Sequence, residues 1–127
     1  MKQLTQAGRI LFALPFGILG LNHFLMVDFF TGMLTSFIPG TGFTVLLTGA
    51  LLILASISII LKKFMRIACY LLAAMLLVFI LTIHVPGLFD ENSSQMALMQ
   101  LMKDTALMGG AIVIASICDS NEKKENV

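Results

Sequence analysis

The sequence predicts an all-α membrane protein, a four-helix transmembrane bundle with a short interfacial helix between spans one and two. Three observations carry that prediction. Hydrophobic residues make up 58% of the 127 residues and charged residues only 12%, about half the charged share of an average soluble domain. Four apolar runs, at about residues 8–27, 43–61, 65–85 and 96–117, are each long enough as helix to cross the ~30 Å of bilayer hydrocarbon. The Pro39-Gly40 and Pro86-Gly87 pairs and the polar stretch from Asp90 to Ser94 fall between these runs, where turns belong. The length suits a single transmembrane domain over residues 1–127. A net charge of +1 and the lack of any basic patch with interleaved aromatics exclude a nucleic-acid partner. The expected surroundings are the lipid bilayer and either a protein partner or further copies of the chain.

Span one begins behind Lys2 and Arg9, which resembles the start of a secretory signal. Its apolar stretch from Ile10 to Val27 is followed by no small-x-small cleavage site, so it is retained as a span. Ala13, Gly17 and Gly20 form a small-residue stripe that lets another backbone approach closely. His23 continues near that stripe and is expected to point inward, while Asn22 lies about 100° away. From Asp28 to Gly42, Phe29, Phe30, Met33, Leu34 and Phe37 recur at helical spacing among Thr31, Thr35 and Ser36. This is the pattern of a short amphipathic helix lying in the interface.

Span two carries Thr44, Thr48, Ser56 and Ser58, whose hydroxyls are expected to bond back to carbonyls of their own helix. Span three sets Tyr70, Ala73, Leu77 and His84 on one face and is expected to stop at Pro86-Gly87. A serine after Asp90-Glu91-Asn92 is positioned to cap span four.

Gln100, Lys103 and Asp104 share a sector of span four about 100° wide. A charge inside hydrocarbon costs about 2.5–3.5 kcal/mol on insertion scales, so Lys103 and Asp104 are expected to face inward, away from lipid. The tail at residues 118–127 is charged and expected to be disordered.

Lys2, Arg9, Lys62, Lys63, Arg66, Lys123 and Lys124 fall on one side of these spans and only Lys103 on the other. The positive-inside rule makes the crowded side cytoplasmic, with both termini there. His23, His84, Gln100, Lys103 and Asp104 then gather towards the outer face as candidate ligand-binding residues. A quinone suits that set: its tail would lie between helices, imidazole or ammonium would donate to its carbonyls, and Asp104 could move a proton. The purely structural alternative pairs Lys103 with Asp104 or a loop acid and bonds the histidines to backbone carbonyls. Two histidines on different spans also invite haem, but no other haem-binding cue accompanies them. The three or four ligands that a metal site needs at fixed spacing are lacking. Cys69 and Cys118 read as small hydrophobes, and the nine methionines as apolar filler. No motif identifies catalytic residues.

Gly20-Leu21-Asn22-His23-Phe24, the Pro39-Gly40 loop, Leu47-Thr48-Gly49, His84 at the end of span three, and Lys103 with Gly109-Gly110 together resemble the DoxX family, over about residues 8–117. The resemblance implies a four-span protein of the bacterial inner membrane. One branch of that family supplies the small subunit of thiosulfate:quinone oxidoreductase, and other members accompany redox or detoxification partners. It marks His23, His84 and Lys103 as site residues and implies a quinone-contacting or accessory subunit of a redox system. Many relatives carry an acid shortly after the Thr-Gly of span two, whereas Gly49 here is followed by Ala50, Leu51, Leu52 and Ile53. A proton-linked role at that position therefore lacks its acid.

Two other readings remain. A structural anchor would use its small-residue stripes to hold another subunit. A small four-span transporter would need a buried acid in span one, and Ile10 to Val27 contains none.

Overall fold

A computed structural model describes residues 1–34 and 38–126. It is all-α, with no strand among the described residues. In chain order the elements are α1 (Lys2–Leu25), α2 (Val27–Gly32), α3 (Thr41–Leu61), α4 (Met65–Phe79), a π-helical segment (Ile80–His84), α5 (Val85–Gly87) and α6 (Ser94–Glu125). Four helices are long and apolar enough to cross a membrane: Lys2–Leu25, Thr41–Leu61, Met65–Gly87 and Ser94–Asn121. The chain is a multi-pass integral membrane protein. Its many exposed aliphatic side chains, among them Leu11, Ile18, Leu54, Leu71, Leu81 and Val113, are surface that lipid rather than water accommodates.

The chain forms two compact units, Met1–Ala68 and Cys69–Val127. In the first, α1 and α3 pack against one another along the small-residue stripe. Ala13 is fully buried, and Ser56 Oγ donates to its carbonyl oxygen at 2.8 Å. The Ser56 hydroxyl thus ties two helices together, where the sequence pattern had it serving its own. Side chains of Val45, Leu52 and Ile59 repeat at helical spacing on the same buried face of α3. The short α2 is the expected interfacial helix, though it ends at Gly32. Thr35, Ser36 and Phe37, assigned to that helix from the sequence, lie outside the described residues. Gly40 precedes α3 with φ +72°, a left-handed conformation that glycine adopts without steric cost.

In the second unit Cys69, Leu72, Ala73, Leu76, Ile80 and His84 form the buried face of the third span. Of the four residues expected to share a face, Ala73 and His84 are buried, whereas Tyr70 and Leu77 are exposed. His84 joins the face of Leu76 and Ile80 because the π-helical segment places one extra residue in the ladder and turns the residues beyond it. Pro86 supplies the reason. It has no N–H to offer the carbonyl one turn back, and its ring crowds that carbonyl. Widening the preceding turn relieves the clash, so the helix runs on to Gly87 instead of ending ahead of the Pro-Gly pair.

The polar connection to α6 closes on itself. Asn92 N–H donates to Asp90 Oδ1 at 3.1 Å, and the Ser93 hydroxyl is within donating distance of Asp90 Oδ2 (3.0 Å) and the Gly87 carbonyl (3.3 Å). The Ser93 carbonyl accepts from Ala97 N–H at 2.8 Å, starting the helix.

Two boundaries differ from the sequence reading for one physical reason. Span one begins at Lys2 instead of Gly8, and span four continues through the charged tail to Glu125. Hydropathy marks the part of a helix that lies in lipid, whereas backbone hydrogen bonding continues into the water beyond it. At 1.5 Å per residue α6 is about 48 Å long, well over the ~30 Å of hydrocarbon. Lys123 and Lys124 lie in its last turn, where cations favour the helix dipole. The tail assigned to disorder is therefore helical up to Glu125, and only Val127 lies outside the described residues.

Candidate functional site

The second unit holds a buried pair. His84, the last residue of the π-helical segment, presents Nε2 at 2.7 Å from Asp104 Oδ2 on α6. Both residues are buried, His84 at 8% and Asp104 at 6% exposure. An imidazole N–H therefore meets a carboxylate acceptor in a medium with little water to solvate either. A buried carboxylate persists there because it is hydrogen-bonded and faces positive charge.

The positive charge comes from the adjacent residue. Lys103 Nζ lies 3.4 Å from Asp104 Oδ1, and 2.5 Å from Gln100 Oε1 one turn back along α6. The Lys103 side chain is 52% exposed. Lys103 and Asp104 were both expected to face inward, and only Asp104 does. Adjacent residues on a helix point about 100° apart, so the lysine stem leaves the buried face and its ammonium curls back across the carboxylate. The group thus runs from a half-exposed ammonium and amide, through a buried carboxylate, to a buried imidazole. Such an arrangement can orient a polar group at its outer end and pass a proton inward.

A second polar link joins the same two helices further along. Tyr70 Oη donates to Asp119 Oδ2 at 2.9 Å. From Tyr70 to His84 and from Asp104 to Asp119 the helices advance by nearly the same length, about four turns each. The two links therefore fix one antiparallel register. Sequence reasoning set Tyr70 on one face with His84 but missed its partner, because Asp119 falls in the tail expected to be disordered. The usable signal was the spacing of Asp104 and Asp119 by a near-integral number of helical turns.

His23 belongs to the first unit, and its bonds are made there. Its Nδ1 lies 2.8 Å from the Leu19 carbonyl oxygen, one turn back in α1, so Nδ1–H donates to that oxygen. Its ring stacks on Phe30 of α2, with centroids 3.8 Å apart and planes 15° from parallel. His23 is 7% exposed and points inward, as its stripe predicted. Of the five candidates, His84, Gln100, Lys103 and Asp104 come together within one unit, whereas His23 secures the interfacial helix to the end of α1. Cys69 is buried, Cys118 is partly buried, and neither is in a disulfide.

The chain matches no family model, no curated protein and no solved structure.

Proposed function

We propose that the protein is a DoxX-type subunit of a redox system in the bacterial inner membrane, contacting a quinone at the Gln100–Lys103–Asp104–His84 group. The observation that supports this most strongly is the buried contact of 2.7 Å between His84 Nε2 and Asp104 Oδ2, with Lys103 Nζ 3.4 Å from the other carboxylate oxygen. A polytopic protein keeps ionisable groups of this kind where a ligand or proton path needs them. The donor set fits a quinone head. The Lys103 ammonium and the Gln100 amide have the exposure to donate to a carbonyl oxygen. A quinone supplies a two-electron, two-proton couple when bound. Behind that contact Asp104 Oδ2 and His84 Nε2 hold a proton between them and can pass it towards the opening. The distribution of Lys and Arg supports a cytoplasmic position for both termini, and the site then opens on the outer side. The redox partner is a second protein or a second copy of the chain.

One observation favours the anchor reading for the first unit. His23, which the family resemblance marks as a site residue, already donates to Leu19 and stacks on Phe30. These contacts give it a structural task.

The test is the quinone content of gently purified protein, measured by extraction and mass spectrometry for wild type, Lys103→Ala and Asp104→Asn. Stoichiometric quinone that falls in both variants is the expected result. Quinone no richer than in bulk lipid, or unchanged in both variants, would overturn the proposal and leave the anchor reading.

A further inference from the structure

Arg9 is the residue among those described whose buried side-chain donors lack an acceptor. Its Nε and Nη1 are shielded from solvent and neither has a hydrogen-bond partner. A guanidinium carries five N–H donors in a fixed fork and no acceptor, so its need for acceptors is fixed. Buried donors left unmade are costly, and charged ones more so, which makes such a group a marker for a missing partner.

The register of the first unit shows what surrounds it. Arg9 stands one turn before Ala13 on the same face of α1. Because Ser56 bonds the Ala13 carbonyl in an antiparallel pair, Arg9 stands level with the last turn of α3. That turn is closed by Lys62, held in the left-handed conformation at φ +59°, and followed by Lys63. Both lysines are exposed. From Arg9 to Leu25 the helix rises about 24 Å, so Arg9 sits near one edge of the ~30 Å hydrocarbon layer. Arg9 and the two lysines thus lie at the same end of the α1–α3 pair, at headgroup depth, and two nitrogens of the Arg9 guanidinium are already desolvated.

We propose that Arg9, with Lys62 and Lys63, forms an anion site for a phosphate group at the membrane surface, occupied by the phosphodiester of an acidic lipid. A phosphodiester offers several oxygens to the fixed fork of guanidinium donors, and charge-assisted bonds of this kind are the strong ones. Lysines at the end of a membrane span add the long-range attraction that gathers acidic lipids. The position of Arg9 near the edge of the hydrocarbon layer favours a lipid, whose phosphate is held at that depth, over free phosphate.

The test uses the full chain in detergent micelles, with native mass spectrometry titrating phosphatidylglycerol against phosphatidylcholine. Wild type is expected to retain phosphatidylglycerol selectively. Arg9→Gln is expected to weaken that retention about tenfold, the size of one charge-assisted hydrogen-bond contact. Arg9→Lys keeps the charge and loses the fork, and should fall between the two. Lys62→Gln with Lys63→Gln leaves Arg9 in place and should reduce retention by a smaller factor, whereas Lys2→Gln should leave it unchanged. If Arg9→Gln fails to fold, Arg9→Lys and the double lysine variant decide the question. Equal retention of the two lipids by wild type, or full selectivity in every folded variant, would overturn the site. Displacement of phosphatidylglycerol by millimolar inorganic phosphate would overturn the lipid as its occupant.

Discussion

Gly20 and Gly49 meet where α1 crosses α3, so closely that neither has room for a side chain. A Cβ on Gly20 would stand 2.7 Å from the Gly49 carbonyl oxygen, and one on Gly49 would stand 2.7 Å from His23 Cβ. Without a strong hydrophobic drive between helices in lipid, such close backbone approach is how membrane helices gain contact. The same crossing sets the depth of His23 and therefore the seat of Phe30 above it.

Alanine at either glycine should therefore be damaging, since at each the partner glycine's backbone oxygen stands in the way and cannot swing aside. Gly20→Ala and Gly49→Ala are expected to destabilise the protein by about 1–3 kcal/mol, the usual range for overpacking. Gly8→Ala, whose Cβ would meet nothing within 4 Å, should be neutral. Equilibrium unfolding in detergent micelles measures all three, and equal stability across the set would contradict the crossing.

The His84–Asp104 contact should show as an energetic coupling. His84→Leu leaves a buried carboxylate facing only Lys103, whereas the double variant His84→Leu with Asp104→Leu removes the charge as well. A double-mutant cycle is expected to give a coupling of about 1–2 kcal/mol, towards the top of the range for polar pairs between membrane helices. Additive losses would mean that the two side chains stabilise the protein independently.

The π-helical segment makes an unusual prediction about deletions. Deleting Leu81, which is exposed and lies inside the segment, should return the helix to α-helical pitch with His84 still facing Asp104, at the cost of restoring the Pro86 clash. Deleting Leu71, equally exposed but within α4, rotates every residue beyond it by about 100° and carries His84 away from α6. The expected outcome is a folded Leu81 deletion and a severely destabilised Leu71 deletion, judged by micelle-extracted yield and thermal unfolding. Equal damage from both would argue that the widened turn is required for its own sake.

The four spans and the all-α class were legible in the sequence because they follow from composition and run length, which need no knowledge of neighbours. The small-residue stripe and the inward direction of His23 were legible for a related reason. A helix fixes its own faces at 3.6 residues per turn, so the stripe through Ala13, Gly17 and Gly20 exists before any partner is known. Helix ends were not legible, since α1 and α6 continue past the lipid-facing residues that hydropathy detects.

What the tertiary structure decided was which polar group meets which. Ser56 could satisfy its hydroxyl on its own helix and instead donates to Ala13, a choice that only the close approach of α1 makes available. Asp104 and Lys103 are adjacent and both charged, yet the contact with His84 buries the acid and leaves the lysine half exposed. That contact depends on the extra residue in the turn before Pro86, a displacement of one position whose effect on direction is about 100°. Sequence determines the faces of each helix, because periodicity is local; the register between helices sets the partners, because it is the joint solution of contacts far apart in the chain.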